Sequence, residues 1–153
     1  MAGTYSKIYI HIVFAVKDRE NLLQKDWREE VFKYISGIIK EKGHKPIIVN
    51  GYKDHIHCLI GLTPSIAISD LVRDIKNNSS KFINEKRYFK NKFHWQEGYG
   101  AFSYSQSQIK RVYNYILNQE NHHQRKSFKE EYLSLLKKFE VEYKKEYLFE
   151  WIE

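Results

Sequence analysis

Two histidines one residue apart, His55 and His57, interrupt the otherwise apolar stretch GYKDHIHCLIGL. Successive side chains of a strand point to opposite faces, so both imidazoles share one face, while Ile56 and Cys58 point to the other. Imidazole nitrogen is a common metal ligand, and two rings at this spacing can bind one cation together. The alternative is a pair of structural histidines on a polar sheet face.

A tyrosine and a glutamine form a second candidate pair in the stretch QSQIKRVYNYILNQENHH. At about 100° per residue, the apolar stripe of a helix in this stretch contains Ile109, Val112, Tyr113, Ile116 and Leu117. Tyr115 lies roughly 120° from that stripe, beside Gln119 one turn later. We therefore expect Tyr113 to pack in the core, and Tyr115 and Gln119 to project together into open space. The alternative is an exposed helix face without chemistry.

The elements before the tyrosine helix follow from hydrophobic periodicity. SKIYIHIVFAV alternates apolar residues like a half-buried strand, and KDWREEVFKYISGIIKEKG has helical spacing with Gly43 as its stop. KPIIVNGY and HIHCLIGL then predict two strands of an antiparallel hairpin, which turns near Lys53 and Asp54.

Serines mark the starts of the later helices. Ser69, or Ser65 one turn earlier, can cap a second helix, which precedes a short strand in GYGAFSYS. Ser105 can cap the tyrosine helix, which we expect to continue to about His123. The sequence SFKE, beginning at Ser127, has the pattern of a capping box for a fourth helix.

This order of elements predicts an α+β, ferredoxin-like sandwich with a small antiparallel sheet and helices on one face. The helix-covered side of the sheet should contain Ile8, Ile10, Ile12, Ile56, Cys58 and Ile60. His55 and His57 then fall on the opposite, uncovered face, where a substrate can reach an active site. Residues 1–153 should form a single domain, with the aromatic C-terminal segment 127–153 docked on the body or on a partner chain.

The composition favours a polyanionic partner. Lys and Arg outnumber Asp and Glu by 26 to 19, which gives a formal net charge of +7 and a pI near 9.3. Aromatic residues make up 16% of the chain, and nucleic-acid bases can stack on exposed rings. A basic protein with a tyrosine-rich core is the alternative.

Compartment and membrane contact can also be predicted. No apolar run approaches the roughly 20 residues that cross a bilayer, and the N-terminal stretch lacks the features of a signal peptide. Cys58, the only cysteine, occupies a predicted core position, which fits an inert thiol in a reducing compartment. We therefore expect a cytoplasmic protein.

Taken together, these motifs resemble the single-tyrosine HUH transposases of the smallest insertion sequences. This IS200-like family includes the transposases associated with repetitive extragenic palindromes (REPs). The resemblance is carried by HIVFAVKDR, DHIHCLI, GYGAF and YNYILNQENHH, with KSFKEEYLSLLKKFEVEY after them, and it covers nearly the whole chain. The paired histidines alone are a weak signal, whereas their combination with the glycine-aromatic strand and YILNQ on a helix is specific.

The resemblance implies a DNA strand transferase. His55, His57 and Gln119 would bind a divalent metal, Mg²⁺ or Mn²⁺, and Tyr115 would attack a scissile phosphodiester to give a 5′-phosphotyrosine and a free 3′-OH. The substrate would be single-stranded DNA with hairpins at the element ends, and the protein would act as a homodimer. A domesticated relative that cleaves palindromic repeats is one alternative, and a non-catalytic nucleic-acid-binding module is another. The sequence does not identify a general base.

The implied ligand set is unusual for Mg²⁺. Two imidazoles and one carboxamide are neutral and softer than the carboxylate and water oxygens that Mg²⁺ prefers, so Mn²⁺, Zn²⁺, Co²⁺ or Ni²⁺ would suit the nitrogens better. The substrate phosphate would then supply the anionic ligand. We therefore expect weak metal binding in the absence of DNA.

The remaining polar residues have simpler predicted roles. His122 and His123 are about 100° apart on a helix, so we expect them to contact phosphates or solvent rather than share an ion. His11 and His44 are predicted to be structural, and Asp54 to be a turn residue that could also support a metal ligand. Candidate DNA contacts are Arg73, Lys76, Lys81, Lys86, Arg87, Lys110 and Arg111, and a solvated helix surface is the alternative for each.

Overall fold

The computed structural model describes residues 3–152 and contains four strands and five α-helices in that range. The strands are β1 (Ile8–Ala15), β2 (Lys45–Gly51), β3 (His55–Leu62) and β4 (Gly100–Tyr104). The helices are α1 (Arg28–Glu41), α2 (Ile68–Lys86), α3 (Ile109–Leu117), α4 (Gln119–His123) and α5 (Phe128–Lys138). Short 3₁₀ turns span Arg19–Asn21, Gln106–Gln108 and Lys145–Tyr147.

The four strands form one antiparallel sheet in the order β2-β3-β1-β4. The central strands are β3, which carries His55 and His57, and β1. Their register places Val13 opposite His57 and Ala15 opposite His55. The predicted hairpin between β2 and β3 is present, with Asp54 in its turn. The predicted fold class, an α+β protein with a small antiparallel sheet, is confirmed.

Helices α1 and α2 cover one face of the sheet. The main hydrophobic core lies between them and the strands, and it contains Ile10, Ile12, Ile56, Cys58 and Ile60, with Ile8 packed at its edge. This is the set of strand residues that alternation predicted. The histidines of β3 consequently point to the opposite face.

The opposite face is not open, so the prediction of an uncovered face is wrong. Helix α5 packs Phe128, Tyr132, Leu135 and Leu136 against this face, and Phe149 of the C-terminal segment joins the same cluster. Helix α3 packs beside it through Val112 and Ile116, against Leu59. Burial of these apolar side chains is favourable because of the hydrophobic effect, and the second face of the sheet is the surface against which they can pack.

The predicted third helix is broken after Leu117. Asn118 has φ −93° and ψ 21°, and the Asn50 side chain of β2 donates to the carbonyl oxygens of Ile116 and Leu117 at 2.9 and 3.1 Å. These carbonyl groups are therefore satisfied without continuing α3, and α4 begins at Gln119.

The tyrosine assignments on α3 are reversed relative to the prediction. Tyr113 is 37% exposed, whereas Tyr115 is half-buried and Gln119 is fully buried. The buried axis of α3 runs through Val112 and Ile116, and the two tyrosines flank that axis at about 80° on either side. The pattern within α3 could not distinguish them, since the side on which α4 and α5 pack decides which tyrosine is covered.

Two of the three predicted capping positions are occupied by the expected residues. Ser127 precedes α5, and its hydroxyl accepts a hydrogen bond from the backbone N–H of Glu130 at 3.2 Å. Ser105 is the N-cap of the 3₁₀ turn Gln106–Gln108, which leads directly into α3. Neither Ser65 nor Ser69 caps α2, which begins at Ile68 after Ala67, so that prediction is wrong. Within residues 3–152, no helix has the length and apolar character that crossing a membrane requires.

Candidate active site and metal-binding cluster

The two histidines of β3 lie side by side and are fully buried between the sheet and the helices α3–α5. Their ring centroids are 5.0 Å apart. His55 Nδ1 lies 2.7 Å from Asp54 Oδ1, and His57 Nδ1 lies 2.7 Å from His11 Nε2. The outer nitrogen of each ring is thus held by a partner, and both Nε2 atoms face the same space.

Glu131 of α5 occupies that space. Its Oε1 atom lies 3.2 Å from His55 Nε2 and 3.0 Å from His57 Nε2. The side chain is 2% exposed. A buried carboxylate costs several kcal/mol unless it is paired, and this one is surrounded by hydrogen-bond donors.

The predicted nucleophile and carboxamide reach the same carboxylate from the other side. The Tyr115 hydroxyl donates to Glu131 Oε2, and Gln119 Nε2 donates to the same oxygen at 2.8 Å. That second bond fixes the amide orientation, so Gln119 Oε1 points at the histidines and lies 2.9 Å from His55 Nε2. The four residues singled out from the sequence are therefore brought together within one chain.

His123 also joins this cluster, contrary to the prediction of a surface position. Its side chain is 2% exposed, and Nε2 lies 3.0 Å from Glu131 Oε1 and 2.9 Å from Gln119 Oε1. Helix α4 begins at Gln119, so the two residues are one turn apart and face the same way. His122 packs against the Tyr115 ring, with centroids 5.5 Å apart, and its Nε2 lies 3.5 Å from Glu131 Oε2.

Burial and charge perturb the pKa values of these groups strongly. Burial would raise the pKa of Glu131, but His57, His123 and His55 hold it well below its usual range. Burial would lower the pKa of His55, but Asp54 and Glu131 raise it to about 9. Burial, together with the adjacent Glu131 charge, raises the pKa of Tyr115 well above its ordinary value. These surroundings therefore favour the neutral phenol.

His11 supports the cluster and is more than a structural histidine. It is fully buried on β1, its Nε2 contacts His57, and its Nδ1 lies 3.2 Å from the Tyr104 hydroxyl. Burial and the neighbouring His57 lower the pKa of His11 well below its ordinary value. A neutral imidazole carries one proton, so the contact with His11 determines which nitrogen of His57 is free to face the site.

A cavity of about 310 Å³ opens beside Tyr115. Its walls include Tyr104, Val112 and Leu135, and Arg111, Lys126 and Lys138 are the cationic residues that line it. An apolar wall with a cationic lining suits a nucleotide, because the base can pack on the rings while the phosphate meets the cations.

The predicted DNA contacts are divided between the two sides of the sheet. On or directly after α2, and therefore on the side away from the site, are Arg73, Lys76, Lys81, Lys86 and Arg87. The Lys76 ammonium donates to the carbonyl oxygens of Gln96 and Gly98 at 2.8 and 2.6 Å, and burial lowers its pKa to about 8. Lys110 and Arg111 lie on α3, on the side of the histidines.

The residues present fit a divalent cation. One ligand atom from each of His55, His57, His123 and Glu131 lies within 4.8 Å of all the others. Gln119 Oε1 adds an oxygen at hydrogen-bonding distance from two of these nitrogens. Imidazole nitrogens with carboxylate and amide oxygens form a donor set suited to Mn²⁺ and its neighbours in the first transition row.

The sequence analysis missed Glu131, although its position carries a signal. Glu131 lies three residues after Phe128 and four before Leu135, so it falls within the apolar stripe of α5 rather than on its polar face. A carboxylate in a buried stripe requires partners. The pattern therefore indicates a buried polar site, but it does not identify the distant strand that supplies those partners.

The chain is similar in sequence to known transposases. The family described as "Transposase IS200 like" matches residues 4–119. The ISDra2 transposase TnpA of Deinococcus radiodurans is 24% identical over 124 residues, covering 76% of this chain and 87% of that protein. The transposase for insertion sequence element IS200 of Salmonella typhimurium is 26% identical over 124 residues, covering 78% and 81%.

Two solved structures share the fold. A crystal structure of a candidate transposase from Deinococcus radiodurans has a TM-score of 0.60 at 22% identity, covering 78% of this chain and 95% of that one. A REP-associated tyrosine transposase bound to a REP hairpin has a TM-score of 0.59 at 14% identity, covering 80% and 73%. Both support the fold class of this chain.

Proposed function

The chain belongs to the IS200-like transposase family, and we propose that it cleaves and rejoins single-stranded DNA through a covalent tyrosine intermediate. The observation that carries the proposal is the convergence of the Tyr115 hydroxyl and Gln119 with His55 and His57 around one buried carboxylate. Strand β3 and helices α3 and α4 supply these residues from parts of the chain about sixty residues apart. Their contacts within the described chain support the proposal.

His55, His57 and Gln119 would hold a divalent cation, Mg²⁺ or Mn²⁺. The cation would act as a Lewis acid on the scissile phosphate and orient it. Asp54 and His11 hold the outer nitrogens of the two rings and keep their Nε2 atoms directed at the site. These contacts limit the motion of the ligands before the substrate arrives.

Tyr115 is the proposed nucleophile. As its oxygen forms a bond to phosphorus, the bond from phosphorus to the 3′-oxygen breaks, leaving a 5′-phosphotyrosine and a 3′-OH. The phenol must lose its proton in this step, and the 3′-oxygen must gain one. The phosphodiester energy is kept in the tyrosine link, so a later attack by a 3′-OH can reseal a strand without ATP.

Glu131 controls the state of the nucleophile in the DNA-free protein. It accepts a hydrogen bond from the Tyr115 hydroxyl, and its charge disfavours the phenolate. The hydroxyl is thus held in position beside the histidines without being ionised. Bound cation and substrate would change the local charge and permit attack.

A non-catalytic binding module explains this cluster poorly. Buried polar networks are expensive, and apolar residues of similar volume generally stabilise a core as well or better. The free-energy cost of burying polar groups therefore applies to the three imidazoles, the carboxylate and the phenol under α5. A purely structural role does not offset this cost. The arrangement is better explained by catalysis.

The proposal is tested by trapping the covalent intermediate. Purified protein is mixed with Mn²⁺ and 5′- or 3′-labelled single-stranded DNA that carries a hairpin, and the products are separated on a denaturing gel. We expect a labelled protein band only with the 3′-labelled DNA, because a 5′-phosphotyrosine joins the protein to the fragment downstream of the cut. The band should be absent when EDTA removes the divalent cation.

Double-stranded DNA of the same sequence serves as the control substrate and should give no adduct. Cleavage that leaves no protein-linked DNA under any metal condition would contradict a tyrosine intermediate. Equal cleavage in EDTA would contradict metal dependence.

The cationic side chains that line the cavity should contribute most to the binding of single-stranded DNA at the site. In the double variant Arg111→Ala, Lys126→Ala, we expect weaker binding of a labelled single strand. The plot of log K against log [salt] should also become shallower by about 1.4, or about 0.7 for each lost phosphate contact. Fluorescence anisotropy at several salt concentrations measures both effects.

The matched control replaces two lysines of α1, Lys33→Ala and Lys40→Ala. Both are exposed and lie on the side of the sheet away from the histidines. This variant has the same net charge as the first but should keep the salt dependence of the parent protein. Equal losses in the two double variants would show that binding follows net charge rather than the cavity.

A further inference from the structure

Glu131 and His123 lie beyond residues 4–119, the part of the chain that matches the family. They nevertheless provide two of the four ligand atoms in the buried cluster. Glu131 is central to it, since Oε1 faces the imidazoles and Oε2 faces Tyr115 and Gln119. The hydrogen bonds around Glu131 and His123 indicate the role of these two residues.

The outer nitrogens of His55 and His123 are committed as donors. His123 Nδ1 lies 2.7 Å from the carbonyl oxygen of Lys126, which can only accept, so this nitrogen carries the proton. His55 Nδ1 lies 2.7 Å from the Asp54 carboxylate, which is also an acceptor. In a neutral ring, the inner Nε2 atom then presents a lone pair to the cluster.

When each ring carries only this one proton, as metal binding requires, these lone pairs face other lone pairs. His123 Nε2 lies 3.0 Å from Glu131 Oε1 and 2.9 Å from Gln119 Oε1, and His55 Nε2 lies 2.9 Å from the same Gln119 oxygen. Acceptors at these distances repel unless a proton or a cation lies between them. One divalent cation would satisfy several of these atoms at once, and it would require no additional protonation of the rings.

We propose that Glu131 and His123 join His55 and His57 as ligands of a single divalent cation, which this chain binds before DNA arrives. This site includes His55 and His57 and in that respect rests on the proposed function. Glu131 adds a charged ligand to them. It replaces the expectation of weak metal binding, which assumed a neutral ligand set. Three imidazole nitrogens and one carboxylate favour Mn²⁺, Co²⁺ or Zn²⁺ over Mg²⁺.

The test is calorimetric titration of Mn²⁺ into the full-length, DNA-free protein, with Mg²⁺ in a parallel titration. We expect one Mn²⁺ per chain, and weaker binding of Mg²⁺. Glu131→Gln keeps the size of the side chain but removes its charge, and it should weaken Mn²⁺ binding by at least about tenfold, as His123→Gln should. Thermal melting without metal establishes which variants are folded, and either folded variant suffices.

Glu130→Gln is the matched control. Glu130 is the neighbouring residue, it is exposed, and glutamine preserves the capping box of α5. This variant should bind Mn²⁺ like the parent protein. Equal loss of binding in Glu130→Gln and Glu131→Gln would overturn the assignment, because it would indicate an effect of net charge or of α5 stability.

Two other outcomes would overturn the inference while leaving the proposed function intact. In the first, the DNA-free protein binds no Mn²⁺ but still forms the covalent DNA adduct with the metal present. In the second, Glu131→Gln and His123→Gln bind Mn²⁺ as tightly as the parent, whereas His57→Gln does not. A protein that binds Mn²⁺ as expected but never forms an adduct would instead contradict the proposed function alone.

Discussion

We expect Tyr115→Phe to abolish the covalent DNA adduct and Tyr113→Phe to leave it unchanged. This is the expected result because Tyr115 alone of the two directs its hydroxyl into the histidine cluster, where it meets Glu131. Tyr113 is 37% exposed on the other side of the same helix. Removing a nucleophile from a working site costs up to about 10⁶-fold in rate, so the adduct should fall below detection.

The substitution is conservative enough to separate chemistry from folding. Phenylalanine keeps the ring that packs between α3 and α5, and Glu131 Oε2 keeps its hydrogen bond from Gln119 at 2.8 Å. We expect a loss of about 1.5–3 kcal/mol in the free energy of unfolding, the usual scale for one hydrogen bond to a charged group. Urea denaturation measures this loss, and the labelled gel measures the adduct.

The reverse pattern would refute the assignment of the nucleophile. An adduct that persists in Tyr115→Phe and disappears in Tyr113→Phe would show that α3 turns its other side to the DNA. Loss of the adduct in both variants, with both proteins folded, would indicate that the helix as a whole binds the strand.

The histidine pair could be predicted from sequence because strand geometry is local. Alternation with period two places His55 and His57 on one face whatever surrounds the strand, and it places Ile56 and Cys58 in the core on the other. The structure keeps that arrangement. Alternation does not predict the burial of the histidine face, since that burial depends on apolar helices more than fifty residues later in the chain.

The tyrosine, the glutamine and His123 show the limits of helical periodicity. Tyr113 and Tyr115 flank the buried axis of α3 symmetrically, so only the position of α5 distinguishes them. The helix breaks after Leu117, yet Tyr115 and Gln119 still reach the same carboxylate, as their spacing of four residues predicts. The angle of about 100° between His122 and His123 excludes a shared ion for that pair alone. Gln119 and His123 lie one turn apart on α4, and they enter the cluster together.

Replacing His57 should distinguish the catalytic role of the cluster from its structural role. In His57→Ala and His57→Gln we expect cleavage of hairpin DNA to fall by at least about a hundredfold, because both lose a ring nitrogen that faces the site. Single-turnover cleavage at saturating Mn²⁺ measures this. The same loss is expected in both variants.

Stability should distinguish the two variants. His57 Nε2 lies 3.0 Å from Glu131 Oε1, and alanine leaves the buried carboxylate without that partner. We expect His57→Ala to lose roughly 3 kcal/mol in the free energy of unfolding, whereas glutamine can donate its amide N–H and should lose less. Thermal and urea unfolding of the DNA-free proteins provide the comparison.

His44→Ala controls for the loss of any buried histidine. His44 is 4% exposed, accepts a hydrogen bond from the Thr63 backbone N–H at 3.0 Å, and lies at the start of β2, away from the cluster. Its removal should lower stability but preserve cleavage by the folded fraction. If His57→Gln cleaves as fast as the parent protein while His44→Ala does not, the buried imidazoles are a structural network, and the metal ligands must be sought elsewhere. If both His57 variants lose cleavage while His57→Gln stays folded, the imidazole acts in the reaction itself, because packing and hydrogen bonding have been preserved without it.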